Sequence, residues 1–444
     1  MTMGQPNFIY ILADDLGYAD LGCCGARDAY SRPTDVSPNL DRMAAQGMRF
    51  TRSYANSAVC SPTRFALITG RWQYRLRGAA EEPLGPAYGD KVLGLPPSHP
   101  TLPSLLGAAG YRTALMGKWH LGYPPHFGPR QSGYQTYFGY HGGGVDYFAH
   151  TGPRGGADLW ENETPIEREG YLTDLLSRQA VEFVEAQTPD QPFLLSLHYS
   201  APHWPWLTRD DADEGRHTRE LGWHPDGGSV EVYQKMIHHM DEGIGWLLDA
   251  LEKKGLAQNT LIVFTSDNGG ERFSNNWPLC GEKMDLLEGG IRVPLLARWP
   301  ERIPAGLVSD CPNLTMDWTA TLLAAAGVEA DPDHPLDGVD LLPLFADASW
   351  TRPGDLCWRM KHRSQRALIR GDWKYLHQDG HDFLFNLARD ARERANVARR
   401  YPEKLAELRD AWQAWNASLP PIPDDARVFK LFQPGDVAVP SGAH

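Results

Sequence analysis

Residues 60–70 read Cys-Ser-Pro-Thr-Arg-Phe-Ala-Leu-Ile-Thr-Gly and bring together a thiol, a helix start and a guanidinium. Ser61 can cap a helix, Pro62 suits its first position, and Phe65, Leu67 and Ile68 supply apolar residues to pack it. The free N–H groups of a helix start favour a sulfate or phosphate, and Arg64 offers a planar fork for an oxyanion or a modified residue 60. By themselves the same residues also describe a buried cysteine ahead of a capped helix, the ordinary place for a free thiol. A second constellation is Asp14, Asp15, Asp267 and Asn268, three carboxylates and one amide oxygen. These are the hard donors that calcium or magnesium prefers, and the lack of Cys or His among the four disfavours zinc. Each half alone also reads as a loop cap or a turn.

The elements that must position these groups follow an α/β pattern. Short apolar runs at Phe8–Ala13, Thr113–Met116, Phe193–Leu197, Leu261–Thr265 and Val293–Ala297 predict buried strands, alternating with helices such as Pro38–Gln46 and Leu102–Ala109. The strongest helical period runs from about Glu231 to Lys254 and stops at Gly255; its His238 and His239 read as structural or surface residues. Polar residues follow the strands: Asp14 and Asp15, then Lys118 and His120, then His203, then Asp267 and Asn268. Open parallel sheets bind ligands beyond the carboxyl ends of their strands, so these groups are expected to converge on one pocket. From about Leu341 the pattern changes, with a strand pair over Arg366–Leu376 and an amphipathic helix over Pro402–Trp415. The expected organisation is a large, mostly parallel sheet flanked by helices over residues 1–335, and a small α+β domain over 336–444.

Length and composition are consistent with a soluble globular protein: 444 residues, 42% hydrophobic and 22% charged, with no apolar run long enough to span a bilayer. A net charge of −13 argues against partners such as nucleic acid or an anionic membrane, while leaving room for a local basic pocket. Cys23, Cys24, Cys60, Cys280, Cys311 and Cys357 form neither a disulfide framework nor a CxxC zinc pattern, and the adjacent pair reads as packing residues. The sequons at Asn162, Asn313 and Asn416 matter only in a secreted protein. Met1–Asn7 runs straight into Phe8–Ala13 without a basic start or cleavage site, which predicts a cytoplasmic protein as given, or a periplasmic or secreted one if a leader has been removed.

The Cys-x-Pro-x-Arg core followed by Thr69-Gly70 resembles the signature of the type I sulfatases, whose cysteine is converted to a formylglycine aldehyde. Gly117-Lys118-Trp119-His120-Leu121-Gly122, Ala201-Pro202-His203 and Glu288-Gly289-Gly290-Ile291-Arg292-Val293-Pro294 are similar to further segments of that family, in order over residues 6–300. Two departures stand out. Thr63 replaces the commoner serine, and Glu282, Met284 and Asp285 around Lys283 differ from the family's Gly-Lys-Gly-Thr-Thr.

The resemblance implies an alkaline phosphatase-like fold and hydrolysis of a small aryl or sugar sulfate. It implies a formylglycine made from Cys60 by a formylglycine-generating enzyme, and calcium, with magnesium as the alternative, held by Asp14, Asp15, Asp267, Asn268 and residue 60. It assigns Asp267 to help deprotonate the attacking hydroxyl, Arg64 to hold the modified residue, and Lys118 and Lys283 to add positive charge around the sulfate. His120 would assist collapse of the sulfated hydrate, and His203 would protonate the leaving oxygen. The chemistry suits a hydrate: a thiolate attacking sulfur would leave a stable adduct, whereas an aldehyde hydrate has a second hydroxyl whose deprotonation expels sulfate. Two other readings stay open. One is a phosphonate monoester hydrolase or phosphodiesterase on the same site, and the other a sulfated-sugar binding protein with Cys60 unmodified. Trp72, Trp160, Trp204, Trp206, Trp223 and Trp277 are expected in loops at the pocket edge, where they can stack on a sugar or aryl ring or pack a loop.

Overall fold

The computed structural model describes residues 4–86, 92–152, 155–213 and 227–429. Among them, one large sheet contains β1 (Asn7–Ala13), β2 (Met48–Tyr54), β3 (Arg112–Lys118), β4 (Thr136–Tyr140), β5 (Trp160–Glu161), β6 (Thr164–Pro165), β7 (Phe193–His198), β8 (Thr260–Ser266), β9 (Arg292–Arg298), β10 (Leu307–Ser309) and β11 (Asn313–Leu314). Its order is β10-β2-β9-β8-β1-β7-β3-β4-β5-β6, with β11 also paired to β2. The central run from β8 to β4 is parallel, and β9 is antiparallel to both β8 and β2. That reversal has a functional result: β9 starts at the edge where β1, β7 and β8 end, so the Glu288-Gly289-Gly290 turn preceding it meets the loop after Ser266, where Gly269 N–H donates to Gly290 O.

Alternation along β1 explains the layering. Phe8, Tyr10 and Leu12 pack with Phe65, Leu67 and Ile68 of helix Cys60–Thr69 and with Trp318 and Leu322 of helix Thr315–Ala326. Ile9, Ile11 and Ala13 face helices Leu172–Glu185 and Val230–Lys253 on the other side. Helix Val230–Lys253 is fixed at its start by Ser229, whose side chain accepts from the Val232 N–H at 3.1 Å. Its Met236, Ile237, Met240, Ile244, Leu247 and Leu251 are fully buried, each worth about 1.5–3 kcal/mol in area removed from water.

A second sheet, β12 (Leu356–Arg359), β13 (Arg366–Arg370), β14 (Trp373–Gln378) and β15 (His381–Asn386), is an antiparallel meander backed by Leu408 and Trp412 of helix Pro402–Ala417. Its core continues into Tyr54, Ala58, Val59 and Ala66, and Trp358 donates its indole N–H to Ala55 O at 2.8 Å. The small sheet thus packs directly against the approach to Cys60. Leu341, Leu344 and Phe345 pack instead with the large sheet. No helix among the described residues is long and apolar enough to cross a membrane.

Candidate active site

The chain leaves β1 at Ala13 and turns at Asp15, which adopts a left-handed φ of 63°, a conformation Asp tolerates better than most residues. Asp267 N–H donates to Ala13 O at 3.2 Å and Leu16 N–H to Ser266 Oγ at 2.9 Å, so the two acidic loops are stitched to each other. Gly117, at φ 113°, allows β3 and β7 to come together, because a Cβ there would lie 1.8 Å from His198 O. Lys118 is the last residue of β3 rather than the first residue after it.

The helix carrying the thiol starts two residues earlier than expected. Cys60 itself is its first residue, Val59 is the extended N-cap without a side-chain cap bond, and Pro62 is the third residue. Ser61 does not cap the helix: its Oγ accepts the Leu84 N–H at 2.7 Å. Thr63 does the local bracing, its Oγ1 bonded to both N and O of Ser57 at 3.0 Å. Cys60 is therefore buried at the helix start, and burial pushes its thiol well above the ordinary range.

All the expected site residues meet. Asp14, Asp15, Asp267 and Cys60 each offer a ligand atom within 4.8 Å of the others, and His203 joins Asp14 and Cys60 in the same way. Lys118 Nζ is 2.5 Å from Asp14 Oδ2, Lys283 Nζ 2.6 Å from Asp15 Oδ2, and Asn268 Nδ2 donates to Asp15 Oδ1 at 2.7 Å. Arg64 donates from Nε to Asp267 Oδ2 at 3.0 Å and from Nη1 to Lys118 O at 3.3 Å, so its direct contacts are to a carboxylate and a carbonyl. The substituted residues around Lys283 do not divert its side chain. Burial alone would raise the Asp15 carboxyl, but Lys283 and His203 hold it well below the usual range. Asp267 is pushed up to about 6 by burial and the Asp14 carboxylate.

A cation fits this donor set. Asp14 Oδ1 and Asn268 Oδ1 are buried oxygens with no hydrogen-bond partner, beside three carboxylates that repel one another. Their chemistry is that of a hard, oxygen-preferring ion, with Cys60 and His203 the softer atoms at its edge.

The two histidines are held as opposite tautomers. His120, at φ 58°, donates from Nε2 to Leu84 O at 2.8 Å, leaving Nδ1 buried and unbonded. His203 donates from Nδ1 to Trp204 O at 2.6 Å and points Nε2 towards Asp15 Oδ2, 3.6 Å away. Burial, aided by Lys118 and Arg64, pushes His120 well below its usual pKa. Burial, aided by Lys283 and Lys118 and opposed by Asp15, brings His203 down to about 3.

Several residues at the site carry no signal in the motifs. His198 lies at the end of β7 with Nδ1 3.3 Å from Lys118 O and Nε2 buried without a partner. Asp20 accepts from Gly17 N, Asn275 N and Tyr233 OH at 2.8, 2.8 and 2.7 Å, tying the first acidic loop to the segment after the second. Glu271 is pushed up to about 8 by burial and the Asp15 carboxylate, against the pull of Lys283. Lys374, fully buried in β14, reaches Glu288 Oε1 at 3.0 Å and Glu393 Oε1 at 2.8 Å. Glu288 opens the turn whose backbone holds the loop after Ser266 and the segment before Lys283: Gly269 N–H donates to Gly290 O at 2.9 Å, and Gly289 N–H to Cys280 O at 2.6 Å. A Cβ on Gly289 would lie 2.2 Å from Gly281 O, so that packing requires glycine. A pair of helix-like spacings cannot reveal such a network, since its members come from three distant segments.

The tryptophans divide differently from expectation. Trp160 lies in β5, and Trp72, Trp204 and Trp206 are buried packing residues. Trp277 alone of the described members of that set is largely open, at 58% exposure, and Trp223 lies outside the described residues.

The chain is similar to known proteins in sequence and in fold. A family model described as Sulfatase matches residues 6–328. N-acetylgalactosamine-6-sulfatase of Mus musculus is 36% identical over 366 residues, covering 77% of this chain and 66% of that protein, so the match spans just under two thirds of the relative's length. Arylsulfatase A of Homo sapiens is 33% identical over 371 residues, covering 77% and 68% respectively. The crystal structure of Ps i-CgsB in complex with k-i-k-neocarrahexaose is similar in fold, with a TM-score of 0.82 at 31% identity over 94% of each chain.

Proposed function

The chain belongs to the sulfatase family, and from that premise we propose that it hydrolyses a sulfate monoester of a sugar, with residue 60 as nucleophile after oxidation to formylglycine. The observation that carries this reading is the convergence of Cys60, Asp14, Asp15 and Asp267 within 4.8 Å, flanked by Lys118 and Lys283. One of the relatives above is named for a sugar sulfate and the similar crystal structure is a complex with an oligosaccharide, which supports a sugar sulfate over a simple aryl ester.

Asp14, Asp15, Asp267 and Asn268 would hold calcium, with magnesium the other hard ion they suit. Formylglycine and the cation would together supply a nucleophilic hydroxyl and positive charge on a sulfate oxygen. The chain's own residues do the rest. Lys118 and Lys283 place ammonium charges where the sulfate oxygens gain negative charge. Arg64 favours the ionised form of Asp267, which can then accept a proton from the attacking group. His120, its Nε2 proton committed to Leu84 O, has Nδ1 free to take a proton when sulfate is expelled. His203 offers Nε2 to the leaving oxygen, and the negative sulfate seated beside it raises the proton affinity that burial suppresses.

Maturation would require a formylglycine-generating enzyme. The test is release of inorganic sulfate from nitrophenyl sulfate and from galactose 6-sulfate by matured protein and by Cys60→Ala. Turnover of both by the former and neither by the latter is expected. Equal turnover by Cys60→Ala would refute the assignment.

A further inference from the structure

Residues 271–282 form a closed loop whose two ends stand at the site. Lys283 N–H donates to Gly270 O at 3.2 Å, two residues beyond Asn268, while the Lys283 ammonium rests on Asp15. Asn276, near the middle, is tied back by bonds of its side chain to Gly270 N, Gly270 O and Gly281 O at 3.3, 3.1 and 3.3 Å. Asn275 adds a bond from its N–H to Asp20 Oδ1 at 2.8 Å. Trp277 therefore follows directly after a residue bonded to the metal-ligand loop, which places its Cα on the order of 10 Å from that of Gly270.

Unlike the buried Trp72, Trp204 and Trp206, Trp277 is 58% exposed. Among the described residues Arg392 is laid over it, its guanidinium carbon 4.4 Å from the ring centroid. Arg392 comes from the segment after β15, and its neighbour Glu393 fixes that segment to the catalytic face through Glu288 N–H at 2.5 Å and Lys374 Nζ at 2.8 Å. No carboxylate of the described residues pairs with Arg392, and its Nε is buried without a partner, in a chain with 56 acidic and 43 basic residues. The exposed part of the indole suits the C–H face of a pyranose, and a guanidinium with no carboxylate partner among the described residues suits a sulfate or carboxylate.

We propose that Trp277 and Arg392 form a second subsite that holds the sugar unit next to the one bearing the scissile sulfate, with Arg392 taking an anionic substituent on that unit. The substrate class is then an anionic oligosaccharide rather than a monosaccharide sulfate. This inference rests on the sugar-sulfatase reading above.

The experiment compares Trp277→Ala, Arg392→Met and Arg392→Lys with wild type on three probes: nitrophenyl sulfate, galactose 6-sulfate and a galactan tetrasaccharide carrying two sulfates. KM for the tetrasaccharide should rise about tenfold in Trp277→Ala and Arg392→Met, with kcat held and a smaller rise in Arg392→Lys. Values for the two small probes should stay within about twofold of wild type. An unchanged tetrasaccharide KM, or an equal loss on all three probes, overturns the subsite. Failure of the parent reading shows separately, as wild type inert towards nitrophenyl sulfate. The subsite is then still decided by calorimetry of tetrasaccharide binding to Cys60→Ala with and without Trp277→Ala, where loss of affinity supports it and equal affinity refutes it.

Discussion

Lys118 Nζ sits 2.5 Å from Asp14 Oδ2 with both side chains fully buried, while Oδ1 of the same carboxyl has no partner. One oxygen is neutralised and the other is left for a cation, with Asn268 Oδ1 in the same condition nearby. Asp14→Asn and Asp267→Asn should each reduce calcium or magnesium from stoichiometric to trace in elemental analysis, and remove nearly all turnover with it. Chelation should also lower the melting temperature of wild type, because it leaves the buried carboxylates to repel one another. Stoichiometric zinc retained by both variants would contradict the donor assignment.

The tautomer of His203, set by its Nδ1–H bond to Trp204 O, leaves Nε2 facing the acidic cluster, as the proposed general acid requires. A nitrophenolate departs readily without a proton, whereas a sugar alkoxide gains about a hundredfold to ten-thousandfold from a general acid. His203→Ala should therefore slow a sugar or alkyl sulfate far more than nitrophenyl sulfate and steepen the dependence of rate on leaving-group pKa. Lys118→Ala should slow both substrates by similar factors. An unchanged slope in His203→Ala would reassign the proton to Lys283.

Much of this site could be read before any coordinates. Asp14 and Asp267 each end a short apolar strand, and parallel pairing of β1 with β8 makes such residues neighbours over any sequence distance. The start of helix Cys60–Thr69 is not legible in the sequence because capping preference is local, whereas Ser61 Oγ accepts the Leu84 N–H from another segment. Lys374 looks like an ordinary strand lysine; only the packing of the small sheet on the Glu288 turn gives it two buried carboxylates. Residue type could not sort the tryptophans into packing and open members, because exposure depends on tertiary contacts that it does not encode.

Asp20 links both site loops and is pushed up to about 6, chiefly by burial and against three hydrogen bonds that favour its ionised form. Its folded pKa thus lies above the unfolded value near 3.8, so the folded state binds more protons in between and loses stability as pH rises through that window. The ionisation penalty, about two units, amounts to roughly 3 kcal/mol at most. Asp20→Asn lacks this titration. The stability lost on substitution, from urea unfolding, should therefore be larger at pH 4 than at pH 7, and a constant difference would contradict the assignment.

Lys374→Met should strand Glu288 and Glu393 as unpaired buried carboxyls and destabilise the protein by about 3–5 kcal/mol in urea unfolding. The double variant Lys374→Met with Glu393→Gln should recover part of that loss, since one buried charge is removed. A single variant as stable as wild type would show that the network contributes little.

The claim that residue 60 attacks sulfur is tested most directly by hydrolysing nitrophenyl sulfate in ¹⁸O-labelled water and locating the label by mass spectrometry. Cleavage of the S–O bond through residue 60 places the label in the released sulfate and none in the nitrophenol, with no product from Cys60→Ala. Label in the nitrophenol, or labelled sulfate formed at the wild-type rate by Cys60→Ala, would contradict it.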